Sequence, residues 1–122
     1  MKKVNLMYFS PTATTKTVVE EIGKRLVDTK RLESGKTIDF TLPKQRESAQ
    51  NFQAKDILLI GVPVYAGRVP NVLLKYLNTI KGNNTLAIPI VLYGNRHYDD
   101  ALIELNDILQ ENGFKVIAGG AF

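Results

Sequence analysis

The chain has no cysteine and a single histidine, His97, among its 122 residues. Without a thiol it can form no disulfide, carries no thiolate nucleophile and gives no cysteine ligand to zinc or an iron–sulfur cluster. One imidazole leaves little room for a histidine-based metal site, so bound redox chemistry would have to come from an organic cofactor. No apolar run approaches the length of a membrane span. Two lysines precede a short apolar stretch in MKKVNLMYF, but no small-residue cleavage pattern follows, and the expectation is a cytoplasmic protein without membrane contact. Linkers, repeats and low-complexity tracts are also missing. The length suits one domain, 1–122, with a single core.

Charge of one sign is not concentrated enough to mark a nucleic-acid binder. The net charge is +4, and residues 1–50 hold ten Lys/Arg against six Asp/Glu, but the basic residues are scattered and lack interleaved aromatics. From Tyr98 to Asn112 the chain is acidic, with Asp99, Asp100, Glu104, Asp107 and Glu111 and no basic residue. Both features describe a solvated surface with a modest asymmetry.

What the chain does have is alternation of two periods. Val4 to Phe9 is mostly apolar, and Ile57 to Val62 is continuously so, the pattern of parallel strands buried on both faces. Thr37 to Leu42 alternates, which predicts an edge strand with Ile38, Phe40 and Leu42 on one side. Pro43 to Lys55 reads as a loop or at most a short helix. Val18, Val19, Ile22 and Leu26 share one helical face. Pro70 stands at a first helical position, with Leu73, Tyr76, Leu77 and Ile80 following at helical spacing. Thr85 to Tyr93 is strand-like, although Pro89 cannot donate to a ladder, so a bulge or an exposed first half is expected. Asp99 or Asp100 can cap a helix whose inward face is Leu102, Leu105, Ile108 and Leu109; Asn112-Gly113 ends it, and Phe114 to Ala118 is a fifth strand. Such alternation predicts an α/β domain, a doubly wound five-stranded parallel sheet of order 2-1-3-4-5 with right-handed crossovers.

Three loops then converge on the carboxyl edge of that sheet. The first, Ser10-Pro11-Thr12-Ala13-Thr14-Thr15, carries four hydroxyls at the start of a helix, where backbone N–H groups are unpaired and the dipole is positive. A helix cap needs only one hydroxyl, and the surplus suits a phosphate. The Gly-x-x-x-x-Gly-Lys pattern of a nucleoside-triphosphate loop is missing. A neutral, hydroxyl-lined phosphate site at this turn points to flavin mononucleotide (FMN). The second loop follows the central strand and includes Pro63, Val64, Tyr65, Ala66, Gly67 and Arg68. Its tyrosine can stack on a flat heterocycle, and Gly67 allows backbone angles closed to other residues. The third includes Tyr93, Gly94, Asn95, Arg96 and Tyr98: a close backbone approach, an amide with donor and acceptor, and a second stacking face. His97 reads as a solvated loop residue.

At these loops the sequence resembles the flavodoxin superfamily, in which a first loop of Ser/Thr-x-Thr-Gly-x-Thr type wraps the FMN phosphate. Ser10, Thr12 and Thr15 match its hydroxyl positions, while Ala13 replaces the usual glycine and Thr14 stands where asparagine is common. GVPVYAGRVP at 61–70 and YGNRHYDDALIEL at 93–105 resemble the flavodoxin domain of bacterial flavodoxin–ferredoxin fusion proteins. The likeness covers essentially the whole chain. It implies that Tyr65 to Arg68 and Tyr93 to Tyr98 frame the isoalloxazine ring. Open α/β sheets bind ligands where the winding reverses, and flavodoxins are themselves an instance of that rule, so the location is implied by the resemblance. Two departures stand out: the cysteine ligands of the fusion relatives are missing, and the chain stops at Gly119-Gly120-Ala121-Phe122, short of the last helix.

The expected function is therefore FMN-dependent electron transfer to a separate redox protein, for instance of ferredoxin type. An FMN-dependent NAD(P)H or quinone reductase is the enzyme alternative, and a non-redox phosphate-ligand or scaffold module the third. Without the last helix one sheet face should stay partly open, which implies a homodimer through that face.

Overall fold

The structure, a computed structural model, describes residues 2–65, 68–93 and 99–122. Its strands are β1 (Lys3–Tyr8), β2 (Glu33–Asp39), β3 (Ile57–Pro63), β4 (Leu86–Leu92), β5 (Lys115–Val116) and β6 (Gly120–Ala121). Its helices are α1 (Thr14–Lys30), α2 (Asn71–Leu77) and α3 (Asp99–Glu111), with a 3-10 turn at Pro43–Arg46. All strand pairings are parallel, in the order β2-β1-β3-β4-β5, with β6 also on β4. The expected sheet order holds.

Side-chain alternation sorts the core into two layers. Met7, Leu58, Ile60, Val62, Ala87 and Val91 face one way, onto α2 and α3 through Leu73, Leu77, Leu105 and Leu109. Tyr8, Leu59, Ile90 and Leu92 face the other way, onto Val19 of α1 and its neighbours Val18, Ile22 and Leu26. β3 is buried along nearly its whole length because both its faces are covered. On the α1 side the outer part of the sheet is partly open. Leu86 and Ile88 are half-buried there, and Ile117 and Phe122 are 54% and 55% exposed. Among the described residues no helix is long and apolar enough to cross a membrane.

Four expectations need correction. β2 begins at Glu33, not Thr37, because Asn5 Oδ1 accepts the Lys36 N–H at 2.9 Å and bridges a register shift opposite Gly35. It also ends at Asp39, so Leu42 starts the 3-10 turn and is exposed, and only Ile38 and Phe40 share the inner face. α2 stops at Leu77, and Ile80 is buried from the turn that follows it.

The fourth concerns Pro89, which causes neither a bulge nor an exposed half-strand: β4 keeps an unbroken register with β3, and Pro89 itself is buried. Thr85, Ala87, Val91 and Tyr93 hydrogen-bond outward to residues 115–122, so by alternation the Pro89 nitrogen also faces that outer edge. The last strand is accordingly split there. β5 pairs with Leu86 and Ala87, β6 with Ile90 and Val91, and the chain steps around the proline at Gly119.

Candidate functional site

Because the strands are parallel, the loops after β1, β2, β3 and β4 all open on one edge, and the winding reverses between β1 and β3. The loop after β1 is tied at Ser10. Its N–H donates to Thr41 Oγ1 at 2.9 Å, its carbonyl accepts the Ala13 N–H at 3.3 Å, and its hydroxyl accepts the Lys16 N–H at 2.9 Å. Ser10 thus satisfies one first-turn amide of α1 from six residues upstream, while the Thr14 and Thr15 amides have no intrahelical acceptor. Ala13 closes the turn in the left-handed region, φ 69°, a conformation that favours glycine. The chain keeps the glycine-type backbone with an alanine in place.

Thr12, Ala13 and Thr14 are exposed at this turn, whereas Thr15 is buried. Gly61 explains the close seat of the helix. A Cβ there would stand 2.4 Å from Val19 Cγ2 and 3.2 Å from Thr15 Cγ2, so only glycine lets the first turns of α1 rest on β3. No acidic residue lies in that first turn, and the positive end of the 17-residue helix is left without a carboxylate of its own. Exposed hydroxyls, open amides and an uncompensated dipole together fit a phosphate.

The loop after β3 is anchored at Val64, whose N–H donates to Leu92 O at 2.7 Å, and is closed by reciprocal backbone bonds between Tyr65 and Arg68 at 2.9 and 3.0 Å. Pro63 ends β3. The Tyr65 ring is 49% exposed and meets the Phe9 ring edge-on, centroids 6.5 Å apart at 76°. That leaves about half of Tyr65 open to solvent beside the first loop. The Arg68 guanidinium is paired with Glu104 of α3, whose hydrogen bond and charge raise its pKa above the usual arginine value. Tyr93 is half-buried at the end of β4 and donates its N–H to Phe122 O at 3.0 Å. Ala66, Gly67, Gly94, Asn95, Arg96, His97 and Tyr98 lie outside the described residues.

Sequence reasoning missed the loop after β2. There Asp39 Oδ1 accepts both the N–H and the hydroxyl of Thr41, which in turn holds Ser10. The signal was present: Asp-x-Thr after a strand is an Asx turn in which a side chain replaces a backbone acceptor. Arg46 donates to Phe40 O and Thr41 O, both at 2.9 Å, and lies 5.8 Å from the Phe9 ring centroid. Beneath the edge, burial and then the charges of Asp39 and Glu20 push the Tyr8 pKa up.

No family model and no curated protein matches the chain. Solved structures do. It is similar to a flavodoxin from the domain Archaea, with a TM-score of 0.67 and 15% identity over 98% of this chain and 83% of that one. It is similar also to a flavoprotein from Lactobacillus acidophilus NCFM in complex with FMN, with a TM-score of 0.69 and 14% identity over 99% of this chain and 93% of that one. At these identities the likeness speaks for the fold. Together with the sheet order, it shows that the chain has the flavodoxin-like fold.

Proposed function

We propose that the protein binds FMN without a covalent bond and serves as an electron-transfer domain. The first turn of α1 carries this reading: a hydroxyl-rich loop in a glycine-type conformation at a helix start with no acidic residue. Thr12, Thr14 and Thr15 would hold the phosphate with their hydroxyls and amides, and Ser10 would keep the loop in shape through Lys16 and Thr41. Tyr65, backed by Phe9, would cover the ring from one side, and Tyr93 to Tyr98 would frame the other. The similar Lactobacillus acidophilus flavoprotein is in complex with FMN, which supports the choice of ligand. Bound FMN supplies one- or two-electron chemistry, exchanged here with a separate redox protein, for instance of ferredoxin type. The absorption spectrum of the purified protein after incubation with FMN and gel filtration tests this reading. Retained flavin bands, perturbed from those of free FMN, are the expected result; a colourless protein overturns it.

A further inference from the structure

We infer that Glu104, on α3 and 35 residues beyond Val69 of the second loop, is the positioning residue that sets where Tyr65 stands. The inference rests on the FMN reading for its consequence, but its geometry is independent of any ligand. One carboxylate oxygen of Glu104 accepts the Val69 N–H at 3.0 Å, and the other accepts from the Arg68 guanidinium. Arg68 and Tyr65 exchange their backbone hydrogen bonds directly, so Glu104 holds one side of a rung whose other side is Tyr65. The Glu104 side chain is only 18% exposed, against 63% for Arg68, so the carboxylate is the fixed member of the pair.

Among the described residues the segment from Val64 to Val69 is held at several points, one of them the Phe9 ring against Tyr65. Val64 bonds to Leu92 O at one end, Val69 is buried in the core at the other, and Glu104 grips the returning strand between them. Glu104 is a side chain outside the segment that hydrogen-bonds to it. It can be removed without altering the loop's own sequence, and a charged acceptor makes each bond stronger than a neutral one. Glu104 also commits the positive charge of Arg68 to α3. Losing Glu104 would both loosen Tyr65 and release that charge at the site's rim. Asp107, one turn further along α3, is exposed and supplies a control of equal charge.

The test uses the full chain with Glu104→Ala, Glu104→Gln, Asp107→Asn and Tyr65→Ala. Amide hydrogen exchange without ligand is expected to accelerate at Tyr65, Arg68 and Val69 in Glu104→Ala, with the Leu59 amide of β3 unchanged. Glu104→Gln keeps an acceptor for Val69 and should restore that amide only. With FMN added, Glu104→Ala should weaken binding by about tenfold, as for a lost charge-assisted hydrogen bond, and alter the visible circular dichroism of the bound flavin. Asp107→Asn should do neither. Unchanged exchange at all three amides in Glu104→Ala overturns the inference. So does Tyr65→Ala changing FMN binding while Glu104→Ala does not. If exchange accelerates as expected but Tyr65→Ala leaves FMN binding untouched, the ring assignment has failed and the consequence for Tyr65 falls with it.

Discussion

Ser10 Oγ accepts the Lys16 N–H at 2.9 Å across a turn that Ala13 closes with φ 69°. The serine supplies a capping bond that the residue at the cap position, an alanine, cannot. Ser10→Ala should therefore lower stability by about 1 kcal/mol. Ala13→Gly should raise it by up to about 1 kcal/mol, because relief of the left-handed strain exceeds the added chain entropy of glycine. Urea denaturation of both variants checks the pair. A destabilised Ala13→Gly protein would show that the turn is not left-handed.

The seat of α1 on β3 gives a second expectation. At Gly61 an added methyl would meet Val19 Cγ2 at 2.4 Å, and the helix would have to lift from the sheet. Gly61→Ala should lose about 1–3 kcal/mol, the usual cost of overpacking. The same shift moves the hydroxyl turn, so FMN affinity should fall with it. Unfolding curves and a fluorescence titration report the two effects; a variant as stable as the parent would place the helix further from β3.

Tyr76 provides the third. Its ring is buried against Phe40, and its hydroxyl is buried without a hydrogen bond, with Gln50 beside it but outside bonding geometry. Removing an unsatisfied buried hydroxyl is favourable, so Tyr76→Phe should gain about 1 kcal/mol. Burial also raises the pKa of Tyr76, as it does for Tyr8. A raised value means that the folded state holds the proton more tightly. This stability is complete below the ordinary tyrosine range near pH 10 and is lost as pH rises through the folded values. As pH rises past the ordinary tyrosine value near 10, the parent should lose stability more steeply than Tyr76→Phe. Parallel pH profiles would contradict the assignment.

Much of this architecture can be read from the residues. Ile57 to Val62 is apolar at every position but Gly61, and a strand covered on both faces leaves such a signature. The helix faces through Val19 and Leu105 follow from spacing alone. Pro89 was visible as a conflict, but its resolution depended on which side of β4 each odd residue bonds, a property of register. Glu33 to Lys36 gave no strand signal because Asn5, 31 residues before Lys36, repairs the bulge with a side chain. The site divides in the same way. Ser10 to Thr15 and Tyr65 lie in local patterns, whereas the braces Thr41 and Glu104 act through contacts that no spacing encodes.

The phosphate assignment is the central claim, and one comparison reaches it directly: affinities of FMN and riboflavin for the protein, with and without Thr12→Ala, by flavin fluorescence titration. Thr12 is exposed at the turn, so its truncation leaves the core alone. FMN should bind the parent more tightly than riboflavin. Thr12→Ala should weaken FMN by roughly tenfold to a hundredfold, the worth of one hydrogen bond to a charged group, and leave riboflavin unchanged. Equal affinity of the parent for both flavins, or equal loss of both in Thr12→Ala, would contradict a phosphate held at Ser10 to Thr15.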